Sequence, residues 1–387
     1  MHKSVERTVL RMAARACLDG DTSREASAIR ARPVDWGWVL RQAAQENLGA
    51  LLHAARLPLP VPASVVDGFR AAWVRGQRRY LLGAQQLSRI IAGFEREGVP
   101  VIPLRGPALG ELLYRDPGVR PFTDLDLFIR EADLIRSLGL LSALGYRHME
   151  DGPPLSHELT WRHAASFVGG GPDEFPLDLH WGLVDYPGIA PAAAINHQEL
   201  WDRAERVEGA GEGRLGLCPE DLLIALALHW AIHHALSGHV WQLDLALLIS
   251  RHAGALDWEA VAERAERWHL RGALGSALRE VRERLDAAVP PRVLARLRPA
   301  GPRRAVLDWL CHRGADRLER LDSLLPYLMM DKGSDVLRAL ASGALPPAGW
   351  LRCRYGVESA LAGYLAHCAR IGSLFARTLG ASVEGTE

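Results

Sequence analysis

The spacing of apolar residues divides the chain into two helical regions with a mixed segment between them. Residues 1–97 and the chain beyond Pro219 carry apolar side chains at helical intervals, whereas residues 98–185 contain short segments of strand character. The pattern predicts an N-terminal helical region over 1–97, an α+β core over 98–185 and a C-terminal helical domain over 186–387. The predicted fold class is therefore α+β, a small mixed sheet flanked by helices in a helix-rich chain.

The central segment should contain four strands. Residues 99–104 form a short apolar strand, and residues 122–129 alternate apolar and polar side chains with the period of two that is typical of a strand. Two more strands are predicted within 164–168 and 174–181. The glycine-rich stretch 169–173 between them has the composition of a hairpin turn, and no helix or lysine follows it as in a phosphate-binding loop.

Two of these strands carry acidic residues on one face. Side chains of a strand point alternately to its two faces, so Asp124 and Asp126 lie opposite the apolar residues of their strand. In the later strand, Asp178 and His180 share a face in the same way. If the two strands are neighbours in one sheet, three carboxylates and one imidazole converge on one side of it.

Converging carboxylates indicate metal-dependent chemistry. Carboxylates that lie close together raise each other's pKa unless a cation lies between them, and Mg²⁺ prefers oxygen ligands. Two such ions can activate a hydroxyl group and stabilise a leaving oxygen at phosphorus, as in phosphoryl or nucleotidyl transfer. The alternative interpretation is a solvated strand face, because a single Asp-x-Asp pair is common without any catalytic role.

The segment around these aspartates resembles the signature of a nucleotidyltransferase family. Residues 104–126 combine Leu-Arg-Gly with a later Arg-x-x-x-Asp-x-Asp, and residues 177–181 read Leu-Asp-Leu-His-Trp. This order is similar to that of a largely uncharacterised bacterial family within the DNA polymerase β-like superfamily. The helical block at 217–223 also resembles the C-terminal region of that family, and the resemblance extends over about residues 30 to 290.

The resemblance implies a site for metal ions and a nucleotide. Asp124 and Asp126 would bind two Mg²⁺ ions, or Mn²⁺ in their place, with an NTP as co-substrate. Asp178 would be the third metal ligand and would draw the proton from an acceptor hydroxyl. The residues that would contact the nucleotide are Arg105, Gly106, Arg120, Thr123 and His180.

The phosphate contacts implied by the resemblance include two departures from its pattern. Arg105 and Arg120 would face the β- and γ-phosphates, and Gly106 would let the backbone approach the triphosphate at the head of a helix. Arg105 stands where the family has lysine, which changes a point donor into a fork. Gly106-Pro107 replaces the glycine-serine pair of the wider superfamily. The resemblance also implies that His180 contacts the nucleotide; the alternative for this residue is a purely structural role.

The C-terminal region contains two histidines that are one helical turn apart. His229 and His233 have the spacing of a zinc-protease helix, but Trp230 stands where that motif needs glutamate, so this class is excluded. The resemblance places both histidines and Asp244 on the pocket wall. The alternative is that the histidines are satisfied within a helix bundle and that Asp244 pairs with them or with a cleft arginine.

Charge and composition narrow the choice of partners. The chain has 46 Lys+Arg and 46 Asp+Glu, and zero net charge excludes a protein that works through a broad basic surface for nucleic acid. A local basic cleft remains open. The arginine-rich stretch 75–79 is predicted to be a solvated helix face, with one arginine at the border of the acceptor cleft as the alternative.

The cellular environment is inferred from further features of the sequence. The chain has five cysteines without a Cys-x-x-Cys pair, an N-terminus without the apolar core of a signal peptide, and no apolar run of membrane-spanning length. These features predict a reduced, cytoplasmic protein without a membrane partner. They do not indicate an oligomeric state.

The sequence thus predicts a Mg²⁺-dependent enzyme that transfers an NMP from an NTP to an acceptor hydroxyl and releases pyrophosphate. The favoured acceptor is a small metabolite, a natural product or a peptide. The first alternative is a toxin-like nucleotidyltransferase that modifies RNA or protein. The second is a non-catalytic nucleotide-binding scaffold, motivated by Arg105 in place of lysine.

Overall fold

The computed structural model of the protein describes residues 4–18, 22–150, 153–186, 189–190, 192–207, 214–298 and 325–380. Within these ranges the chain is rich in helix and contains a five-stranded mixed sheet, which confirms the predicted α+β class. Cys218, Cys353 and Cys368 are free thiols, and Cys311 lies outside the described residues.

The N-terminal part is helical, as predicted. Its longest helix starts directly after Pro62, a residue that lacks the N–H a helix interior needs, and continues for 34 residues. Asp35 caps an earlier helix by accepting a hydrogen bond from the Trp38 amide at 2.9 Å. The five helices of this described part are α1 (Ser4–Cys17), α2 (Ser23–Arg30), α3 (Trp36–Gln45), α4 (Gly49–Ala55) and α5 (Ala63–Arg96).

The central sheet has the strand order β1-β2-β5-β4-β3. Strands β2 and β5 pair in parallel, and the other neighbours pair antiparallel. The strands are β1 (Val101–Pro103), β2 (Leu125–Ile129), β3 (Arg147–His148), β4 (Ala164–Val168) and β5 (Leu177–His180). The helices among them are α6 (Pro107–Leu113), α7 (Leu134–Ala143) and α8 (Leu155–Trp161), with short 3₁₀ turns at Pro117–Val119 and Glu131–Asp133.

The four predicted strands are all present; β4 has the predicted bounds, and the other three are shorter than predicted. Strand β2 begins at Leu125, so Asp124 lies immediately before it rather than within it. The stretch 169–176 connects the antiparallel pair β4 and β5, as expected of a hairpin connection. Strand β3 was not predicted, because two residues are too few for a periodicity to be visible.

The two acidic strands are direct neighbours. In the β2–β5 ladder Asp126 lies opposite Asp178, and Phe128 lies opposite His180. The expected convergence of carboxylates on one side of the sheet therefore follows from the observed register.

The two faces of the sheet pack against different layers. One face buries Leu125, Leu127 and Ile129 in a core with the second half of α5 and with α7. The opposite face carries Asp126 and Phe128, and the Phe128 ring belongs to the larger core that also includes the terminal helices. This arrangement leaves the acidic face of the sheet between the N-terminal and the C-terminal helices.

The chain beyond the sheet is mostly helical but includes a short hairpin that the sequence pattern did not predict. Its two strands have three residues each and mixed polarity, which is too short for a clear alternation. The elements up to residue 298 are α9 (His197–Asp202), β6 (Glu205–Val207), β7 (Arg214–Gly216), α10 (Pro219–Leu228), α11 (His239–Arg251), α12 (Trp258–Arg267), α13 (Arg271–Leu285) and α14 (Pro291–Arg296).

The last described segment, residues 325–380, contains four more helices. Among the described residues, none of the helices combines the length and the apolar character that crossing a bilayer requires. The division into regions at 98 and 186 stays a prediction. The four helices are α15 (Leu325–Leu328), α16 (Gly333–Ala344), α17 (Ala348–Tyr355) and α18 (Ala360–Gly380).

Candidate active site

The acidic residues of β2 and β5 form one cluster with an imidazole. Asp126, Asp178 and His180 each place one potential ligand atom within 4.8 Å of the others. Asp126 and His180 are buried, while Asp178 is half-buried and faces the adjoining cavity. Oxygen atoms of carboxylates with a neighbouring imidazole nitrogen are a donor set that suits a divalent cation.

Asp124 completes the group of carboxylates. It lies just before β2, half-buried, and lines the same cavity. Burial and the charges of Asp126 and Asp178 raise the pKa of Asp124 from 3.8 to about 6. The fold therefore holds these carboxylates close together although their negative charges repel one another. A bound cation would relieve the repulsion.

Arg105 is the cation that now balances part of this charge. Its Nε donates to Oδ2 of Asp126 at 3.0 Å, and its Nη2 donates to Oδ1 of the same carboxylate. The Nε2 atom of His180 lies 3.0 Å from Asp126 Oδ1. Burial alone would raise the pKa of Asp126, but the charge of Arg105 and the contact with His180 hold it well below its usual value.

These contacts allow a test of whether the site suits a metal ion. Asp124 and Asp178 are not ion-paired within the described residues. Because the two carboxylates repel each other, a cation bound between them would be stabilised. Asp126 already binds Arg105 through both oxygens, so a metal ion would share that carboxylate with the guanidinium. The donor set fits a divalent cation on this condition.

Gly106 fits its position for two reasons. Its φ of +67° lies in the left-handed region, which glycine adopts without strain. A Cβ atom there would lie 3.1 Å from the backbone oxygen of Asp124. Gly106 therefore lets the start of α6 approach the residue that precedes β2, and Pro107 at the first helical position removes one of the amides that an anion would meet.

Arg120 lies behind this loop in a buried ion pair. Its Nε and Nη2 donate to Asp244 at 2.9 and 2.7 Å, and its Nη1 donates to the Gly106 oxygen at 3.1 Å. Tyr114 also donates to Asp244, at 2.7 Å. A direct phosphate contact by Arg120 would require this pair to open. Asp244 is fully buried and holds Arg120 in the cavity wall. This is the pairing with a cleft arginine that the sequence predicts as the alternative for Asp244.

The two predicted histidines line the cavity from the C-terminal side. His229–His233 forms a π-helical turn at the end of α10. Burial, followed by the charge of Arg105, lowers the pKa of His233 to about 3 and that of His229 well below its usual value. Both imidazole rings are therefore neutral at pH 7. They can form hydrogen bonds with a ligand while carrying no charge themselves.

His234 is a cavity residue that the sequence did not reveal. Its Nε2 lies 3.1 Å from that of His229, and its ring stacks on Trp241 with centroids 3.5 Å apart. In a regular helix, residues five apart do not share a face. The π turn, with its wider repeat, brings His229 and His234 together.

One cavity of about 850 Å³ is lined by the three aspartates of the cluster, by Arg105, Gly106 and Arg120, and by His180, His229, His233 and His234, whereas Asp244 lies behind its wall. Thr123 also lines it and is exposed. The cavity further includes Arg162 and Asp185, which pair through a 2.9 Å hydrogen bond, and Arg79 of α5. Neither Arg162 nor Asp185 lies in a recognisable motif, so only the packing of the loop after β5 reveals them.

Comparison with known proteins agrees with this geometry. The sequence pattern of a family described as uncharacterised nucleotidyltransferases matches residues 32–286, which is more than half of the chain. The chain belongs to this family. No curated protein and no solved structure matches it.

Membership in this family gives the cluster a chemical meaning. The protein is a nucleotidyltransferase, so an NTP is its substrate. The cluster of Asp126, Asp178 and His180 indicates divalent-metal-dependent catalysis within this site.

Proposed function

We propose that the protein transfers an NMP from an NTP to a hydroxyl group of a small acceptor and releases pyrophosphate, with Mg²⁺ as the physiological metal and Mn²⁺ as a substitute. The observation that carries the proposal is the convergence of Asp124, Asp126 and Asp178 at one edge of an 850 Å³ cavity. Placement in the DNA polymerase β-like superfamily, a bacterial origin and a cytoplasmic location belong to the same proposal.

The carboxylates have distinct positions and therefore distinct proposed roles. Asp124 and Asp126 hold the metal ions, and Asp178 is the third ligand. When bound, divalent cations neutralise charge on the reacting phosphate and activate a hydroxyl nucleophile. Asp178 is half-buried and open to the cavity, so its carboxylate is placed to accept the proton of the acceptor hydroxyl.

The nucleotide contacts surround this group. Arg105, Thr123 and His180 line the cavity beside the carboxylates, and Gly106 gives the backbone its close approach. Arg120 is proposed to act on the nucleotide chiefly by holding the Gly106 carbonyl in place. These residues form the nucleotide side of the cavity.

The acceptor side is proposed to be the histidine wall. His229 and His233 lie across the cavity from the sheet and are uncharged at pH 7, which suits a neutral hydroxyl-bearing molecule. The cavity volume is within the range of ordinary small-molecule sites, about 300–1,000 Å³. A small acceptor fits a cavity of this size better than a folded protein or an RNA duplex does.

One observation favours the second candidate, a nucleotide-binding scaffold without turnover. Arg105 engages both oxygens of Asp126, which a metal-dependent enzyme needs for its cation. On this hypothesis nucleotide binding would not depend on Mg²⁺. The toxin-like alternative has no matching observation, because most arginines of the cavity are paired with carboxylates.

Thermal unfolding with nucleotides tests the proposal. The wild type and Asp126→Asn would each be unfolded with four NTPs, with and without Mg²⁺. A ligand at 100 times its dissociation constant stabilises a protein by about 2.7 kcal/mol, so we expect a Mg²⁺-dependent shift in the wild type alone. An equal shift without Mg²⁺ would favour the scaffold, and no shift with any NTP would contradict both.

A further inference from the structure

Most guanidinium groups in the cavity wall are already neutralised by a carboxylate. The pairs are Arg105 with Asp126, Arg120 with Asp244, and Arg162 with Asp185. Arg79 differs from them, because no carboxylate lies within ion-pair distance of it in the described part of the chain. An NTP brings several negative charges into this cavity, and the paired arginines can meet them only by giving up a partner.

The Arg79 side chain is held in one orientation by contacts that leave its charge available. Its Nε donates to the backbone oxygen of Phe122 at 2.6 Å. Its Cζ lies 4.6 Å from the centre of the Phe175 ring and 5.4 Å from that of Phe122, distances typical of cation–π contacts. The two terminal nitrogens make no hydrogen bond within the described residues, and the side chain lines the cavity and is exposed there.

The surroundings of Arg79 are built to keep this geometry. Gly83 lies one helical turn further along α5, and a Cβ atom there would come within 2.5 Å of the Phe122 ring. The absence of a side chain at Gly83 lets that ring lie against α5, beneath the guanidinium. The Phe122 and Phe175 rings are 5.0 Å apart, so together they form a platform for Arg79.

The platform connects Arg79 to the acidic cluster. Phe122, whose carbonyl binds Arg79, is two residues before Asp124, with Thr123 between them. All four residues line the same cavity. An anion in contact with Arg79 would therefore lie beside the carboxylates that are proposed to hold the metal ions.

We propose that Arg79 binds the phosphate tail of the nucleotide, as a fork-shaped donor supplied by the N-terminal helix α5. The inference rests on the proposed function and adds a residue that neither the motif segment nor the family match identifies. A guanidinium fork matches phosphate oxygens through two parallel hydrogen bonds. The N-terminal helices are then part of the nucleotide site and not only a wall for the acceptor.

Binding of inorganic tripolyphosphate and of NTP tests this inference. The full-length wild type, Arg79→Gln and Arg79→Lys would be titrated calorimetrically with tripolyphosphate and with each NTP in the presence of Mg²⁺. Arg78→Gln is the matched control, since Arg78 is the neighbour on α5, is mainly exposed and, in the part of the chain that the structure describes, forms one ion pair, with the exposed Asp173 at 3.5 Å.

We expect Arg79→Gln to weaken tripolyphosphate and NTP binding by roughly tenfold to a hundredfold, the usual effect of losing charged hydrogen bonds. Arg79→Lys keeps the charge but not the fork, so its loss should be smaller. Arg78→Gln should bind like the wild type. If Arg79→Gln misfolds, as judged by its circular dichroism, the Arg79→Lys titration decides, and wild-type affinity in that variant would overturn the inference.

The remaining outcomes separate this inference from the proposed function. Wild-type affinity for NTP and tripolyphosphate in folded Arg79→Gln would overturn the inference and leave the nucleotidyltransferase proposal intact. Failure of the wild type to bind any NTP would overturn the proposed function itself, and the inference with it.

Discussion

Replacing Asp124 with asparagine should make the metal-free protein more stable. The carboxylate is held near Asp126 and Asp178, and its pKa rises from 3.8 to about 6 through burial and their charges. Asparagine has almost the same shape but no charge, so Asp124→Asn removes the repulsion and keeps the packing. A residue retained at a cost to stability is expected where function needs its charge.

The magnitude follows from the pKa difference. A raised carboxyl pKa in the folded state means that ionisation destabilises the fold, a cost that develops between about pH 4 and pH 6 and is complete above it. At ~1.4 kcal/mol per pKa unit the ceiling is about 3 kcal/mol, and screening by solvent at this half-buried site reduces it to about 1–2 kcal/mol. We therefore expect Asp124→Asn to be more stable than the wild type at pH 8 and equal to it near pH 4.

The assay is thermal unfolding in EDTA at pH 8 and pH 4, followed by the same measurement with Mg²⁺ at pH 8. Without metal, the midpoint of Asp124→Asn should rise by a few degrees at pH 8 only. With Mg²⁺, the wild type should gain stability and Asp124→Asn should gain much less. Asp173→Asn, a change at an exposed carboxylate, is the control and should shift neither midpoint. A lower midpoint of Asp124→Asn at pH 8 would refute the repulsion argument.

Three further predictions concern neighbouring groups. Asp244→Ala leaves the buried Arg120 guanidinium unpaired and should cost about 3–5 kcal/mol of unfolding free energy in urea titrations; a loss under ~1 kcal/mol would contradict the buried pair. Arg105→Lys cannot engage both oxygens of Asp126, so calorimetry should show tighter Mg²⁺ binding, whereas weaker binding would mean that the fork helps to position the carboxylate. His197, the first residue of α9, lies with its ring 6.2 Å from that of Phe128 on β2. Burial lowers the pKa of His197 to about 4, so stability should fall as the pH decreases from 6.5 to 4, and His197→Gln should flatten that slope in urea midpoints.

The acidic face of the sheet could be predicted because it depends on local sequence periodicity. The alternation in 122–129 and 177–181 assigns each side chain to a face, and pairing of the two strands then brings the acidic residues together. The prediction that these two strands are neighbours in one sheet was the only step that the local sequence periodicity did not support. The observed register opposes Asp126 and Asp178 and confirms that assumption.

The rest of the cavity depends on packing between distant parts of the chain. Arg79 reaches the site because α5 packs against the segment that contains Phe122, a contact that no periodicity encodes. In the sequence it belongs to the arginine-rich stretch 75–79, whose pattern predicts a solvated helix face. His234 lies five residues after His229, and only the π turn brings the two rings together.

The pairing of Arg120 with Asp244 shows the same limit. The two residues are 124 positions apart, and the resemblance in the motif segment assigned Arg120 to phosphate. In the folded chain its three guanidinium nitrogens join α11, through Asp244, to the loop at Gly106, and the phosphate contact stays a prediction. Charge and motif order indicated an arginine in the cleft, but only the tertiary contacts show what it binds.

The most direct test of nucleotidyl transfer is the fate of a labelled phosphate. The protein would be incubated with Mg²⁺, a small-molecule extract as the source of acceptor, and the NTP labelled on either its α- or its γ-phosphate. We expect the α-label to appear on a new product and the γ-label to leave as pyrophosphate, with the wild type but not with Asp126→Asn. Transfer of the γ-label to the acceptor, or equal labelling by Asp126→Asn, would contradict it.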